Sequence, residues 1–268
     1  MWYSKMHIRG YDGIGRHARF RFSCSDTLGF ESPYPHQMSA VILIGLRWTF
    51  YIERDNVKFV EVRMLDSKGF DLWANGYDKS VGLSDEENTY PFAGYKRILG
   101  IIYKTIIEKQ NPIVLDIGFG TGTLTRKLYE NGCIVYGQDF SSKMIELALE
   151  KMPDAHLYKG DFTLGLVEPL RQERYDFIVA TYSIHHLTDI QKVHFLKELL
   201  NYLKDGGKIL IGDIAFETRD EWYKCKEKSS AEWDSTEIYC IAEELRTEFP
   251  NLCFEKITFC SGVLIISR

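Results

Sequence analysis

The 268-residue sequence lacks several features that would assign it to a special class of protein. Its six cysteines include no Cys-x-x-Cys pair, which disfavours a zinc ribbon or a disulfide framework and favours reduced packing residues. The longest apolar run near the start, Ala40 to Leu46, is too short to span a bilayer. The sequence also contains no internal repeat, heptad run or low-complexity tract, so an ordinary globular chain is expected.

Composition and charge favour a cytoplasmic enzyme without a membrane partner. The chain is 45% hydrophobic and can bury a sizeable core, and about 200 of its residues suffice for one α/β domain. Residues 64–268 carry 24 basic and 32 acidic side chains. This acidic balance disfavours nucleic acid as a partner.

Residues 1–63 differ from the rest of the chain in their basic residues. They hold seven Arg and two Lys, whereas residues 64–268 hold seven Arg and 17 Lys. Residues 29–32 can be encoded by DNA containing GGTTCGAATCC, and residues 33–37 by a run ending in CCCCACCA, which resemble parts of a transfer-RNA gene. We hypothesise that residues 1–63 are translated upstream DNA and that Met64 is the natural start. The alternative is a basic extension that binds nucleic acid.

The most informative motif is a glycine-rich turn after a predicted buried strand. Residues 114–122 read Val-Leu-Asp-Ile-Gly-Phe-Gly-Thr-Gly, and a helix is predicted to begin at about Thr123. Gly118, Gly120 and Gly122 leave room for a ligand to approach the backbone, where unpaired N–H groups of the helix point at an anion. The motif therefore predicts a site for a nucleoside-containing cofactor.

The glycine spacing separates two classes of cofactor. The dinucleotide motif Gly-x-Gly-x-x-Gly would need a glycine at position 123, where this sequence has threonine. Gly-x-Gly-x-Gly, preceded by Asp116, instead resembles the first motif of the class I S-adenosylmethionine-dependent methyltransferases. This resemblance implies S-adenosylmethionine as the cofactor, with its methionine end against Gly118 and Gly120.

Two further acidic residues follow predicted strands. Asp139 ends a strand that starts at Cys133, and it lies 21 residues beyond Gly118. At about that distance a carboxylate accepts hydrogen bonds from both ribose hydroxyls. Asp161 follows the next predicted strand, and the methyltransferase resemblance implies that it accepts a hydrogen bond from the adenine amino group.

Residues 182–187 follow a fourth predicted strand and resemble the segment that lines the active site of many small-molecule methyltransferases. Tyr182, His185 and His186 are therefore candidates for the acceptor pocket, where one histidine could take a proton from the acceptor. The alternative is that these histidines form only structural hydrogen bonds within a loop. A metal site is not expected, because adjacent side chains in an extended segment point in opposite directions and no Cys or Asp lies at ligand spacing.

The end of the chain predicts how the sheet is completed. Residues 220–249 are predicted to form a long helical stretch, and Cys253–Phe259 and Val263–Ser267 are predicted to form an antiparallel hairpin. A Rossmann-like, doubly wound α/β sheet that ends in such a hairpin is the class I methyltransferase fold that the resemblance implies. Dinucleotide-binding sheets usually remain parallel.

Residues ahead of the sheet, together with residues at the ends of two later strands, narrow the resemblance to the uncharacterised YrrT-like small-molecule methyltransferases. The residues that carry this similarity are Trp73, Tyr77, Asp78, Phe92, Gly94, Tyr95, Tyr182, His185, His186, Leu187, Thr188, Asp189, Asp213, Phe216 and Glu217. The similarity implies a methyltransferase domain over residues 64–268 with a helical lid at about 66–110. Within that lid, Tyr77 is the predicted contact to the cofactor or the substrate.

Together these patterns predict an enzyme that transfers a methyl group in line from S-adenosylmethionine to a small-molecule acceptor. Two alternatives stay open. One is a non-catalytic protein that binds S-adenosylmethionine or S-adenosylhomocysteine, since its cofactor motifs would be the same. The other is an NAD-dependent oxidoreductase, which the threonine at position 123 disfavours.

Overall fold

The computed structural model of the chain describes residues 42–43, 49–53, 56–60 and 88–268. The chain divides into two compact units, residues 1–61 and 62–268, and each is described by itself. The first unit contains an antiparallel sheet of β1 (Ile42–Leu43), β2 (Thr49–Glu53) and β3 (Asn56–Val60). Tyr77 and the part of the predicted lid before residue 88 lie outside the described residues, so their roles stay predictions.

The second unit alternates strands with helices around one central sheet. Its strands are β4 (Ile113–Ile117), β5 (Ile134–Asp139), β6 (His156–Lys159), β7 (Tyr175–Thr181), β8 (Leu203–Phe216), β9 (Cys240–Ile241), β10 (Cys253–Lys256) and β11 (Ser261–Ser267). Its α-helices are α1 (Tyr95–Ile107), α2 (Thr123–Glu130), α3 (Ser142–Lys151), α4 (Glu168–Arg171), α5 (Asp189–Leu200), α6 (Arg219–Lys228) and α7 (Ala242–Leu245). Short 3-10 turns lie at Phe162–Leu164 and Ile184–His186.

The sheet confirms the predicted fold class. Its strand order is β10-β11-β8-β7-β4-β5-β6, with the short strand β9 paired to β8. The five strands from β8 to β6 are parallel, whereas β11 runs antiparallel to both β8 and β10. The carboxyl ends of β4, β5, β7 and β8 therefore meet at one edge, where parallel α/β sheets bind their ligands.

Two hydrophobic clusters cover the faces of this sheet. Along β4, Leu115 and Ile117 belong to one cluster and Val114 to the other, because successive strand residues point to opposite faces. Helix α5 adds Phe195 and Leu196 to the first cluster, and other helices cover the second. Each fully buried aliphatic side chain contributes about 1.5–3 kcal/mol, so these layers hold the strand ends in place.

The predicted long helix at residues 220–249 is wrong. Helix α6 ends at Lys228, and residues 229–239 then cross the edge of the sheet without regular structure before β9 pairs with β8. One cause is Asp234, whose Oδ1 accepts hydrogen bonds from the backbone N and the Oγ1 of Thr236. Such local bonds compete with the helical pattern, and they leave this segment at the carboxyl edge of the sheet.

Among the described cysteines, four are buried in the hydrophobic clusters, Cys253 is exposed, and none is in a disulfide. None of the helices formed by residues 88–268 is long and apolar enough to cross a membrane.

Candidate cofactor and acceptor site

The predicted glycine turn follows β4 directly and has a backbone that only glycine adopts readily. Gly118, Gly120 and Gly122 have φ values of 68°, 55° and 76°. A Cβ at Gly118 would lie 2.6 Å from the Cβ of Ser183, whereas a Cβ at Gly120 would have no other heavy atom within 4 Å. Gly118 is thus required by packing, and Gly120 borders open space into which a ligand can fit.

Asp139 stands at the carboxyl end of β5, as the sequence predicts, and it is buried. Its Oδ2 accepts a hydrogen bond from the N–H of Gly120 at 2.9 Å, and its Oδ1 accepts one from the N–H of Ser141 at 2.9 Å. The carboxylate therefore joins the glycine turn to the start of α3. Two backbone donors fix its orientation beside the cavity described below.

Asp116, the acidic residue ahead of the glycines, lies beneath the turn. Its Oδ2 accepts a 2.6 Å hydrogen bond from Oγ1 of Thr125, and its Oδ1 has no hydrogen-bond partner among the described residues. Burial raises the pKa of Asp116 to about 7, although the Thr125 hydrogen bond lowers it. The side chain fixes the first turn of α2 against β4, which sets the position of the glycines.

A cavity of about 330 Å³ opens at the carboxyl edge of the sheet. At one end, Gly118, Gly120 and Asp139 line it together with the rings of Phe140 and Phe162. The structure thus brings three of the predicted site residues together on one wall. Flat apolar rings beside a carboxylate suit a nucleoside, which has a base to cover and ribose hydroxyls to bind.

Asp161, the predicted adenine contact, is exposed and does not line this cavity. Its Oδ1 accepts a hydrogen bond from the N–H of Thr163 at 2.9 Å, which caps the 3-10 turn that begins at Phe162. This cap places the ring of Phe162 in the cavity wall. The adenine contact of Asp161 stays a prediction.

The other end of the cavity is aromatic. Tyr182 follows β7 with a left-handed φ of 50°, a strained backbone for a tyrosine. Its ring centroid lies 5.3 Å from that of Phe92 and 5.0 Å from that of Tyr95. These three rings, which we call the aromatic wall, all border the cavity. Tyr182 thus lines the cavity, and its role in an acceptor pocket stays a prediction.

His185 also faces the cavity, where it is held between two carboxylates. Its Nδ1 lies 2.7 Å from Oδ1 of the fully buried Asp213, and its Nε2 lies 3.5 Å from Oε1 of Glu237. An ionised Asp213 can only accept, so Nδ1 carries the hydrogen and Nε2 is left to exchange a proton. Burial alone lowers the pKa of His185, but the charges of Asp213 and Glu237 outweigh it and raise the pKa above its ordinary value.

His186 has the opposite electrostatic environment. Burial, with a smaller contribution from His185, lowers its pKa to about 3, so this imidazole stays neutral near pH 7. The two neighbouring imidazoles therefore differ in proton affinity, which Asp213 and Glu237 increase at His185 and which burial decreases at His186. Among residues 88–268, no cluster of three or more His, Cys, Asp or Glu side chains is arranged to hold a metal ion.

Sequence reasoning missed Glu237 because it falls within the stretch predicted as helix. The hydroxyl of Tyr239 donates to Oε2 of Glu237 at 2.7 Å, and the N–H of Ile238 donates to the carbonyl of His185 at 2.9 Å. The ammonium of the buried Lys192 also binds the carbonyl of Ile238. These bonds join residues 237–239 to the histidine segment. The run Asp234-Ser235-Thr236 is a sequence signal for a break in the helix, because such side chains bond to the local backbone.

The chain matches the profile of a methyltransferase domain over residues 114–207. It is 40% identical over 180 residues to an uncharacterized methyltransferase of Anoxybacillus flavithermus, a match that covers 67% of this chain and 80% of the relative. It is 38% identical over 181 residues to one of Geobacillus thermodenitrificans, covering 67% of this chain and 79% of the relative.

Solved structures share the fold at low sequence identity. The complex of DhpI with S-adenosylhomocysteine superposes with a TM-score of 0.56 at 15% identity, covering 74% of this chain and 93% of DhpI. Since the similarity to the Anoxybacillus relative spans most of that protein, the methyltransferase prediction is confirmed. The chain belongs to the methyltransferase family that these relatives represent.

Proposed function

We propose that the chain transfers the methyl group of S-adenosylmethionine to a small-molecule acceptor bound in the same cavity. The observation that carries this proposal is the cavity itself. It joins the glycine turn and Asp139 at one end to His185 at the other. Its volume of about 330 Å³ lies within the range of small-molecule sites.

The cofactor end fits S-adenosylmethionine. Gly118 and Gly120 let the methionine moiety approach the backbone, because a side chain at Gly120 would fill the open space that borders it. Asp139 is held where its carboxylate can accept from the ribose hydroxyls. Asp161 and Tyr77 are the further contacts predicted from sequence. When bound, S-adenosylmethionine supplies a methyl group that its sulfonium has already activated.

Methyl transfer also requires that the acceptor be oriented toward the methyl group and that its proton be removed, and the acceptor end serves both needs. We assign the acceptor pocket to the aromatic wall together with His185 and His186. Nε2 of His185 is the atom placed to take a proton from the acceptor, and Asp213 is the positioning residue that holds the imidazole by Nδ1. The small-molecule acceptor, the cytoplasmic location and the absence of a nucleic-acid partner stay predictions.

Calorimetry on the full chain with S-adenosylmethionine, S-adenosylhomocysteine and NAD tests the cofactor assignment. We expect micromolar binding of the first two and none of NAD; binding of NAD alone would refute the proposal. Transfer of a deuterated methyl group, followed by mass spectrometry, then separates an enzyme from a binder. Tight cofactor binding without a methylated product from any small-molecule fraction would support the non-catalytic alternative.

A further inference from the structure

We infer that the methyl acceptor is a small amine that enters the cavity as a cation. Glu237 and Asp234 attract its ammonium group, and the aromatic wall of Phe92, Tyr95 and Tyr182 covers the adjoining part of the molecule. This inference rests on the proposed methyl transfer at the same site. It goes further by naming the chemical class of the acceptor.

The charges around the cavity favour a cation. Among the described residues that line it, the acidic side chains are Asp139, Asp234 and Glu237, and none is Lys or Arg. A cleft lined by one sign of charge concentrates ligands of the opposite sign. An acceptor bearing a carboxylate or phosphate would approach two carboxylates at the acceptor end. The Lys192 ammonium, whose charge acts on His185, does not line the cavity and binds the carbonyl of Ile238.

The two acceptor-end carboxylates are held in place by their own hydrogen bonds. Glu237 accepts from Tyr239 through Oε2, which leaves Oε1 toward His185, and its side chain remains 22% exposed. Asp234 accepts twice from Thr236 through the single oxygen Oδ1, at 2.7 Å and 2.6 Å. Their charges therefore stay at the cavity rather than moving into solvent with a flexible side chain.

The aromatic wall fits the same ligand. The three ring centroids lie within about 6 Å of one another along the wall, at 5.3 Å, 5.0 Å and 6.1 Å. The face of an aromatic ring attracts a cation and also covers apolar carbon. A compact amine with an apolar body would use both properties.

Methyl transfer to an amine that enters as a cation needs a base, because an ammonium nitrogen has no lone pair. His185 is placed to act as that base. The proton moves from that nitrogen to Nε2 of His185, and the freed lone pair bonds to the methyl carbon. The electron pair of the broken methyl–sulfur bond stays on sulfur, which becomes neutral. The imidazolium formed lies between Asp213 and Glu237, at 2.7 Å and 3.5 Å.

Calorimetry with three ligands of one skeleton tests the inference. The full chain is saturated with S-adenosylhomocysteine and titrated with benzylamine, benzyl alcohol and benzoate. We expect benzylamine to bind at least about 10-fold more tightly than benzyl alcohol, and benzoate to bind most weakly. With a deuterated methyl donor, N-methylbenzylamine is the expected product.

Variants that remove one negative charge test which residues cause the preference for benzylamine over benzyl alcohol. Glu237→Gln keeps an oxygen for the Tyr239 hydroxyl but removes the charge, and it should reduce the preference for benzylamine to less than about 3-fold. Asp234→Asn repeats the test and keeps an Oδ1 that can accept the two hydrogen bonds from Thr236. Glu232→Gln, an exposed residue of the same segment that does not line the cavity, is the matched control and should leave the preference unchanged.

The outcomes separate the two proposals. Tighter binding of benzoate than of benzylamine, or a preference for benzylamine that survives both cavity variants, would overturn the amine assignment. So would a methylated alcohol or carboxylate as the main product, although methyl transfer itself would then stand. A chain that binds neither S-adenosylmethionine nor S-adenosylhomocysteine would refute the proposed function instead.

Discussion

The two ends of the cavity are assembled in different ways. Its cofactor end comes mainly from one contiguous stretch, residues 114–140, in which a strand, a glycine turn, a helix and a second strand follow each other. Its acceptor end combines residues 91–95, 182–186, 214 and 234–237, which only the folded sheet brings together. The cofactor end can therefore be recognised from sequence spacing, whereas the acceptor end depends on long-range packing.

The two ends also differ in what their charged groups can do. Asp139 accepts from two backbone N–H groups, so it is a fixed acceptor. His185 instead lies between the carboxylates of Asp213 and Glu237, where the gain or loss of one proton changes the charge of its imidazole. We therefore expect substitutions at the cofactor end to alter cofactor affinity and substitutions at the acceptor end to alter turnover.

The largest expected effect is on turnover, from His185→Gln. Loss of a positioned general base lowers the rate about 10²–10⁴-fold, so kcat should fall within that range. The affinity for S-adenosylhomocysteine should stay within about 3-fold of the original, because among the described residues the His185 ring makes its polar contacts with Asp213 and Glu237 and not with the glycine turn or Asp139. Initial rates and calorimetry on the same preparations measure both quantities.

His194→Gln is the matched control, because this histidine is exposed on α5 and does not line the cavity. It should change neither quantity. A His185→Gln variant that keeps more than about a tenth of the original kcat would show that the acceptor does not lose its proton to this imidazole.

The next effect is on cofactor affinity, from Asp139→Ala. The variant leaves the N–H groups of Gly120 and Ser141 without their carboxylate acceptor and removes the ribose contact. Affinity for S-adenosylmethionine should fall by about 1–3 kcal/mol, or roughly 5–150-fold. Asp205→Ala, at an exposed position in β8, should have no effect. Unchanged affinity in Asp139→Ala would remove this residue from the cofactor site.

A smaller effect, on stability, is expected from Gly118→Ala. The left-handed backbone at φ 68° costs a residue with a Cβ about 1–2 kcal/mol, and the new Cβ also presses on Ser183. Gly100→Ala in α1 is the control, because a Cβ there meets nothing within 4 Å and alanine favours a helix. Urea unfolding should therefore shift in opposite directions for the two variants. A Gly118→Ala variant as stable as the original would mean that the turn does not need a left-handed residue.

The positions of the glycine turn and of Asp139 could be predicted from the sequence because both follow from local spacing. The glycines need positive φ within one turn, and Asp139 ends the strand that neighbours β4, so both positions are set by short-range geometry. The terminal hairpin was predictable for the same reason, since a short turn joins its two strands.

The acceptor end was only partly predictable. Asp213 belonged to the pattern of resemblance without a role, and its partnership with His185 arises because β8 lies next to β7 in the sheet. Glu237 was hidden in a stretch whose helical pattern was overridden by the Asp234 turn and by pairing of β9 with β8. Such contacts depend on tertiary structure, which the periodicity of a single segment does not contain.

The smallest expected effect is a shift in the pH dependence of kcat, from Glu237→Gln. Burial and the charge of Lys192 on α5 lower the pKa of His185, whereas Asp213 on β8 and Glu237 raise it, and the carboxylates prevail. The base works as the neutral imidazole, so kcat should be low in acid and rise with pH through a pKa above the ordinary value of about 6.5. Glu237→Gln removes one of the carboxylates that raise the pKa of His185, so the rise in kcat should move to lower pH. The kcat profile between about pH 5 and 9 measures this, and an unmoved or upward-shifted rise would show that Glu237 does not act on the imidazole during turnover.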